Sequence, residues 1–138
     1  MTPADFKTIR ESLGISAQWL ATAVRVDQRT VRRWEDGAIP LRADVVDLLT
    51  RLDEQMKADV GAEMDQVLAD LRAVAEPAAM LDSLSPDDWP VLAIPRVDAD
   101  VINGGDLPAS YHRAVAARVR LKLDGRLRLT YVTRATAP

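Results

Sequence analysis

Residues 16–37 of this 138-residue chain read SAQWLATAVRVDQRTVRRWEDG, and this stretch decides the fold of the amino-terminal part. Asp27 can cap a helix that begins immediately after it, because its carboxylate can accept hydrogen bonds from the free backbone amides of the first turn. Gly37 suits the left-handed conformation that commonly ends a helix, and Pro40 prevents simple continuation. Ser16 can cap an earlier helix in the same way. The stretch therefore predicts two short helices joined by a tight turn.

The second predicted helix has one apolar face. Val31 and Trp34 lie three residues apart and share a face, which predicts that this face is buried. The first helix has apolar residues at helical spacing, and a further apolar residue lies in the turn. The predicted core of the motif is therefore formed by Leu20, Ala21, Val26, Val31 and Trp34.

Long polar side chains cover the remaining sides of the second helix. Arginine presents a planar fork that can bond both acceptors of a guanine edge, and glutamine can bond an adenine in the same way. An alternative is that the arginines form only a solvated charged face. In a DNA-binding interpretation, the residues expected to contact bases are Gln28, Arg29, Arg32 and Arg33.

This stretch resembles a known family. A capping Ser, a Leu-Ala pair, a Val in the turn, Thr-Val, Arg-Trp-Glu and a closing Gly are similar to the helix-turn-helix of the Cro/repressor (Xre-like) DNA-binding proteins. A preceding helix also matches, since Thr2, Pro3 and Asp5 form a capping box with proline at the first helical position. The matching residues of the motif are Ser16, Leu20, Ala21, Val26, Thr30, Val31, Arg33, Trp34, Glu35 and Gly37.

The resemblance implies base contacts at Gln28, Arg29 and Arg33, while Arg32 could reach a base or a phosphate. Contacts with the phosphates of double-stranded DNA are expected at Ser16, Gln18, Arg25, Thr30 and Arg42.

The chain departs from the family at two positions. The family usually has glycine in the turn where this chain has Arg25, and a non-glycine residue in the left-handed conformation costs about 1 kcal/mol. Either the turn is reshaped or this strain is tolerated. Ala17 stands where the family often has a glutamine that touches DNA.

The overall composition favours a soluble protein of the cytoplasm. An apolar fraction of 48% is enough to build a core in one compact unit or two small ones. The chain has no cysteine, which excludes disulfides and cysteine-based metal sites. The amino terminus has neither a basic start nor a continuous apolar run, so we expect no signal peptide and no membrane span.

The net charge of -3 is distributed unevenly along the chain. Residues 41–106 carry 5 basic and 15 acidic groups, whereas residues 107–138 carry 7 basic groups and 1 acidic group. DNA responds to local potential rather than to total charge, so the arginines of residues 25–33 can attract phosphates although the whole chain is acidic. The acidic middle is expected to face away from DNA.

A long amphipathic helix is predicted from Arg42 onward, and Gly61 predicts a kink or a break within it. Its stripe can pack within one chain or across a dimer. Dimers are favoured, because helix-turn-helix proteins commonly bind two half-sites one helical turn apart. The stripe consists of Val45, Leu49, Leu52, Met56, Val60, Met64, Val67, Leu71 and Val74.

Pro77 marks the predicted boundary between two domains. We expect residues 1–76 to form a helix-turn-helix DNA-binding domain with a long following helix. Residues 77–138 are expected to form a small α+β carboxy-terminal dimerisation region with short strands. The predicted fold class is mainly α, with a helix-turn-helix bundle, a long connecting helix and this small region.

Within the carboxy-terminal region, Val91–Ile94 predicts a short strand and residues 103–105 a turn. Ala109–Lys122 predicts a helix, and the alternation in residues 127–131 predicts a half-buried strand. An alternative is a hairpin, because residues 119–123 also alternate before an Asp-Gly pair. The Tyr followed by an alanine-rich helix is similar to the YdiL-like group and the anti-CRISPR-associated autorepressors. That resemblance implies a dimerisation role and a regulator of phage or mobile-element genes.

Other chemistries have little support in the sequence. His112 is the only histidine, and no phosphate-binding glycine loop is present. We therefore expect no enzyme activity, no catalytic residue, no metal site and no cofactor. The expected function is that of a homodimeric repressor on a palindromic operator. The alternatives are an antitoxin, which would also bind a partner protein, and a regulator that additionally uses the basic carboxy-terminal segment to bind RNA or to make a second DNA contact.

Overall fold

The computed structural model describes residues 1–72, 81–101 and 106–132. The chain is mainly helical with a small two-stranded parallel sheet near the carboxyl end, which confirms the predicted mainly α class. It forms two compact units, Met1–Lys57 and Ala58–Pro138. The boundary predicted at Pro77 and the turn predicted at residues 103–105 lie outside the described residues.

The first unit contains three short helices and the start of a long one. They are α1 (Pro3–Ser12), α2 (Ala17–Ala23), α3 (Gln28–Glu35) and α4 (Ala43–Arg72).

Side-chain caps define where the first two helices begin. The Asp5 amide donates to Thr2 Oγ1 over 3.0 Å, and the Thr2 amide donates back to the Asp5 carboxylate over 2.9 Å. This is the reciprocal pair of a capping box. The Trp19 amide donates to Ser16 Oγ over 3.0 Å at the start of α2. Each cap satisfies an amide that the helix leaves without an internal partner.

The core of the first unit is built around Trp34. Its ring meets that of Phe6 edge-on, with centroids 6.1 Å apart. Aromatic pairs favour this geometry because the positive edge of one ring faces the negative surface of the other. The start of α4 closes this core with Val45 and Leu49, both fully buried. The other buried apolar side chains of the unit include Leu13, Ile15, Leu20, Val31 and Met56.

Helix α4 runs without interruption from Ala43 to Arg72, so the break expected at Gly61 is absent. A single glycine inside a helix costs only about 1 kcal/mol. Buried stripe residues on either side, Val60 and Val67, supply packing that outweighs this cost. Val74, the last residue of the predicted stripe, lies outside the described residues.

The second unit contains strand β1 (Val91–Ile94), helix α5 (Ala109–Lys122) and strand β2 (Arg128–Tyr131). Residues 119–122 are helical, so the hairpin alternative is wrong. The two strands pair in parallel, with Leu92 opposite Leu129 and Ile94 opposite Tyr131. Asp124 and Gly125 follow α5 with φ angles of 51° and 82°, and this left-handed turn leads the chain toward β2.

The strand expected in residues 127–131 is present as Arg128–Tyr131, but the expectation that it is half-buried is wrong. Leu127 is buried, but it precedes the strand, and Leu129 and Tyr131 are 40% and 54% exposed. The reason is the position of α5, which packs against β1 and buries Ile94. Strand β2 therefore lies beside the covered strand rather than beneath the helix.

Candidate nucleic-acid interface

Helix α3 exposes one set of side chains and buries another. Gln28, Arg29, Arg32 and Arg33 are all exposed. On the other side of the helix, Val31 and Trp34 are almost completely buried. The four predicted base-contacting residues therefore occupy the solvent side of one short helix that is anchored in the core through its opposite side.

Both ends of α3 are held by local hydrogen bonds. Asp27 caps the first turn by accepting from the Arg29 amide over 2.7 Å. At the other end, Gly37 has a φ of 70°, and the Ala38 amide donates to the Arg33 carbonyl over 2.8 Å. These contacts satisfy backbone groups that helix ends leave free, and they limit α3 to about two turns.

A buried ion pair joins the end of α3 to α1. Arg10 Nε and Nη2 approach Glu35 Oε1 at 2.7 Å and 2.6 Å, and Arg10 is only 7% exposed. Arg10 Nη1 also donates to the carbonyl of Ile15 over 2.6 Å. Because the Arg10 guanidinium donates to both Glu35 and Ile15, its rigid planar fork holds the Glu35 carboxylate in one geometry. The pair therefore limits how α3 can move relative to α1.

Sequence reasoning assigned no role to Arg10 and no partner to Glu35. Arg10 lies four residues after the buried Phe6, on the same side of α1, and this spacing was the only available signal. Periodicity could not pair it with a residue 25 positions away.

Arg25 adopts the left-handed conformation with a φ of 57°. The turn thus keeps the geometry for which glycine is better suited, and the strain is tolerated. The Val26 amide donates to the Ala21 carbonyl over 2.9 Å across this turn. Val26, predicted as a core residue of the motif, is half-buried, whereas Leu20 and Ala21 are buried.

The residues predicted to contact phosphates differ in the exposure of their side chains and in the hydrogen bonds that these already make. Gln18 and Arg25 are exposed, and Thr30 is half-buried. Ser16 Oγ already accepts the Trp19 amide as a cap, although a hydroxyl can still donate.

Among these residues, the Arg42 side chain makes the most contacts with other side chains. Its Nε donates to the Asp44 carboxylate over 3.0 Å, and its guanidinium lies 6.0 Å from the centre of the Trp34 ring. The hydrogen bond from Arg42 lowers the pKa of Asp44. A phosphate at this position would have to compete with that carboxylate.

Several basic side chains near the carboxyl end make contacts within the second unit. Arg126 pairs with Asp82 at 2.5 Å, and Arg128 Nε donates to the Trp89 carbonyl over 3.1 Å. Arg113 donates to the carbonyl of Arg96 over 2.9 Å. These contacts favour the interpretation that part of this charge balances acidic and carbonyl groups of the same unit.

No family model matches this chain, and a search of curated proteins found no similar sequence. Within residues 1–72, 81–101 and 106–132, none of the helices combines the length and the apolar character that a membrane crossing requires.

Proposed function

We propose that this protein is a sequence-specific DNA-binding transcriptional regulator that acts as a homodimeric repressor. The observation that carries the proposal is the division of α3 into a buried side with Val31 and Trp34 and an exposed side with Gln28 and three arginines. In this proposal, α2 and α3 are a helix-turn-helix of the Cro/repressor type and α3 is the recognition helix.

The dimensions of α3 suit the major groove of DNA. Its 8 residues extend about 12 Å, which is similar to the width of the groove. Arg29, Arg32 and Arg33 can each donate two hydrogen bonds to a guanine, and Gln28 can bond an adenine. A good bidentate contact provides about 1 to 3 kcal/mol of discrimination between bases.

The ion pair between Arg10 and Glu35 supports the same role. Specific recognition requires that the contacting side chains start from a backbone of defined position. Glu35 is the last residue of α3, so its bonds to Arg10 would hold the recognition helix while its exposed side chains enter the groove.

The proposed repressor is a dimer on a palindromic operator, with half-sites about 34 Å apart. The carboxy-terminal unit is its proposed dimerisation region. Support comes from Leu129 and Tyr131, two exposed apolar side chains that lie two residues apart and therefore on one face of the small sheet, since contiguous exposed apolar groups can mark protein contacts.

Footprinting on the DNA upstream of the protein's own gene tests the proposal. We expect protection of two half-sites by the wild-type protein, and loss of protection at moderate salt for Arg29→Ala and for Arg33→Ala. The matched control is Arg51→Ala, which removes an exposed arginine of α4 in the same unit and should leave the footprint unchanged. A footprint that survives both α3 substitutions would rule out α3 as the recognition helix.

A salt titration separates base contacts from phosphate contacts. Each lost phosphate contact reduces the slope of log K against log salt by about 0.9. Arg25→Ala should reduce this slope and weaken binding to all sequences equally, whereas Arg29→Ala should mainly relax the preference for the operator.

A further inference from the structure

The second unit contains an open cleft that the proposed DNA binding does not use. Its volume is about 260 Å³. The cleft lies between one side of α4, the segment around β1 and one side of α5. Its lining includes Asp59, Glu63, Leu92, Ile94, His112 and Val115.

The wall of the cleft opposite α4 is apolar. Ile94 and Val115 are buried, and Pro95 lies next to them in the lining. Contact with such a wall favours a ligand with a carbon body. The volume is below the range of about 300 to 1,000 Å³ that is typical of sites for drug-sized ligands, so the occupant must be smaller.

The α4 side of the cleft carries two carboxylates. Asp59 and Glu63 are four residues apart, and therefore share one face of the helix. The Tyr111 hydroxyl donates to the Asp59 carboxylate over 2.8 Å, which engages Asp59 within the unit. Glu63 is half-buried, and its carboxylate makes no hydrogen bond or ion pair within the part of the chain that the structure describes.

The basic side chains adjacent in sequence to this lining are Arg96 and Arg113, and both make other contacts. Arg113 donates to the carbonyls of Pro95 and Arg96, and the Arg96 guanidinium lies 6.0 Å from the centre of the Tyr131 ring. A carboxylate that is partly removed from water without a cationic partner favours binding of a cation.

His112 adds a second unsatisfied group. Its Nε2 is buried and has no hydrogen-bond partner among the described residues. Buried polar atoms without partners are uncommon, and those in binding sites are often satisfied by a bound molecule. The imidazole therefore adds hydrogen-bonding capacity beside the apolar wall.

We propose that this cleft binds a small primary amine whose ammonium group pairs with Glu63 and whose apolar body contacts Ile94 and Val115. An ammonium group has three donors, and a charge-assisted hydrogen bond to a carboxylate is about twice as strong as a neutral one. The inference does not depend on the proposed DNA binding, because every lining residue belongs to the second unit.

The test is a titration of the full-length protein, followed by NMR, with benzylamine and with benzyl alcohol as an uncharged probe of the same shape. We expect benzylamine to bind with a Kd of about 1 mM or tighter and to shift resonances of residues that line the cleft. Benzyl alcohol should bind at least about tenfold more weakly, because it lacks the charge.

Two variants locate the contact. Glu63→Gln should weaken benzylamine binding by about tenfold or more and abolish the preference over benzyl alcohol. Asp65→Asn is the matched control, since it removes an exposed carboxylate of α4 outside the lining. It should change neither the affinity for benzylamine nor the preference over benzyl alcohol. Unchanged thermal unfolding of both variants excludes a folding defect.

Three results would overturn the proposal. They are no binding of benzylamine at about 10 mM, equal binding of the amine and the alcohol, and equal weakening by Glu63→Gln and Asp65→Asn.

Discussion

Arg10 of α1 and Glu35 of α3 form an ion pair in the first unit, with Arg10 Nη2 2.6 Å from Glu35 Oε1. The exposed fractions of the two side chains are only 8% and 5%. Removing two charges from water is expensive, and their attraction offsets that cost only when both partners are present with good geometry. The pair therefore makes the position of α3 depend on α1.

We expect Glu35→Ala to lower the free energy of unfolding by about 3 to 5 kcal/mol, because it leaves the guanidinium of Arg10 buried without its carboxylate. Urea unfolding followed by tryptophan fluorescence measures this change. Trp34 reports on it directly, since it precedes Glu35 and is buried in the same unit.

The double variant Arg10→Met/Glu35→Leu is the control for this ion pair. It removes both charges and keeps similar side-chain volumes, so it should be more stable than Glu35→Ala. If the double variant is no more stable than Glu35→Ala, the loss in Glu35→Ala does not come from the unpaired charge of Arg10.

Arg25→Gly should stabilise the first unit. Arg25 has a φ of 57°, and glycine adopts this conformation without the steric cost of about 1 kcal/mol. We expect the melting temperature to rise by about 4 °C in thermal unfolding. Arg25→Ala retains the strained conformation, so equal melting temperatures of the glycine and alanine variants would show that the strain has no energetic consequence.

Gly61→Ala should also be stabilising, for a different reason. Gly61 lies inside α4, and a Cβ atom added there would meet nothing within 4 Å. The alanine variant should gain about 1 kcal/mol in chemical denaturation, because alanine loses less conformational freedom in a helix than glycine.

Gly37→Ala provides the contrast to Gly61→Ala. Its φ is 70°, and an added Cβ would lie 3.4 Å from Pro3 Cγ. We expect a loss of about 1 kcal/mol or more at this position. A gain at position 37, or a loss at position 61, would contradict the helix geometry on which both predictions depend.

The stability of the second unit should fall at high pH because of Tyr111. Burial raises the pKa of Tyr111 above its ordinary value of 10.0, and the hydrogen bond to Asp59 raises it further. The unfolded chain then releases this proton at a lower pH than the folded chain. The contribution of protonated Tyr111 to the free energy of unfolding is complete below pH 10. Above pH 10 it falls by up to about 1.4 kcal/mol per pH unit.

Urea unfolding at pH 8 and pH 11 measures this dependence. Tyr111→Phe should be less stable at pH 8, since it loses the bond to Asp59, but its stability should decline less toward pH 11. Tyr131→Phe alters an exposed tyrosine and should keep the decline seen in the wild type. If the free energy of unfolding of Tyr111→Phe falls between pH 8 and pH 11 as much as that of the wild type, groups other than Tyr111 cause the loss of stability at high pH.

Local residue patterns were sufficient to predict most helices and both strands. Asp27 and Gly37 mark the ends of α3 because caps and left-handed glycines act on the backbone of their own turn. The apolar stripe of α4 follows from helical periodicity, and the strand Val91–Ile94 follows from its flanking prolines. Both signals are local in the chain. The break that was one of the two outcomes expected at Gly61 is absent, because local propensity there is weaker than packing along the helix.

The sequence by itself determined where helices begin and end in the first unit and which side of α3 is apolar. Only the tertiary structure decided that Arg10 pairs with Glu35, that β2 pairs in parallel with β1 and remains exposed, and that Asp59, Glu63 and His112 line one cleft. The physical reason is the range of the interactions. Caps and helical periodicity act over about four residues, whereas ion pairs, strand pairing and clefts join residues that are distant in the chain.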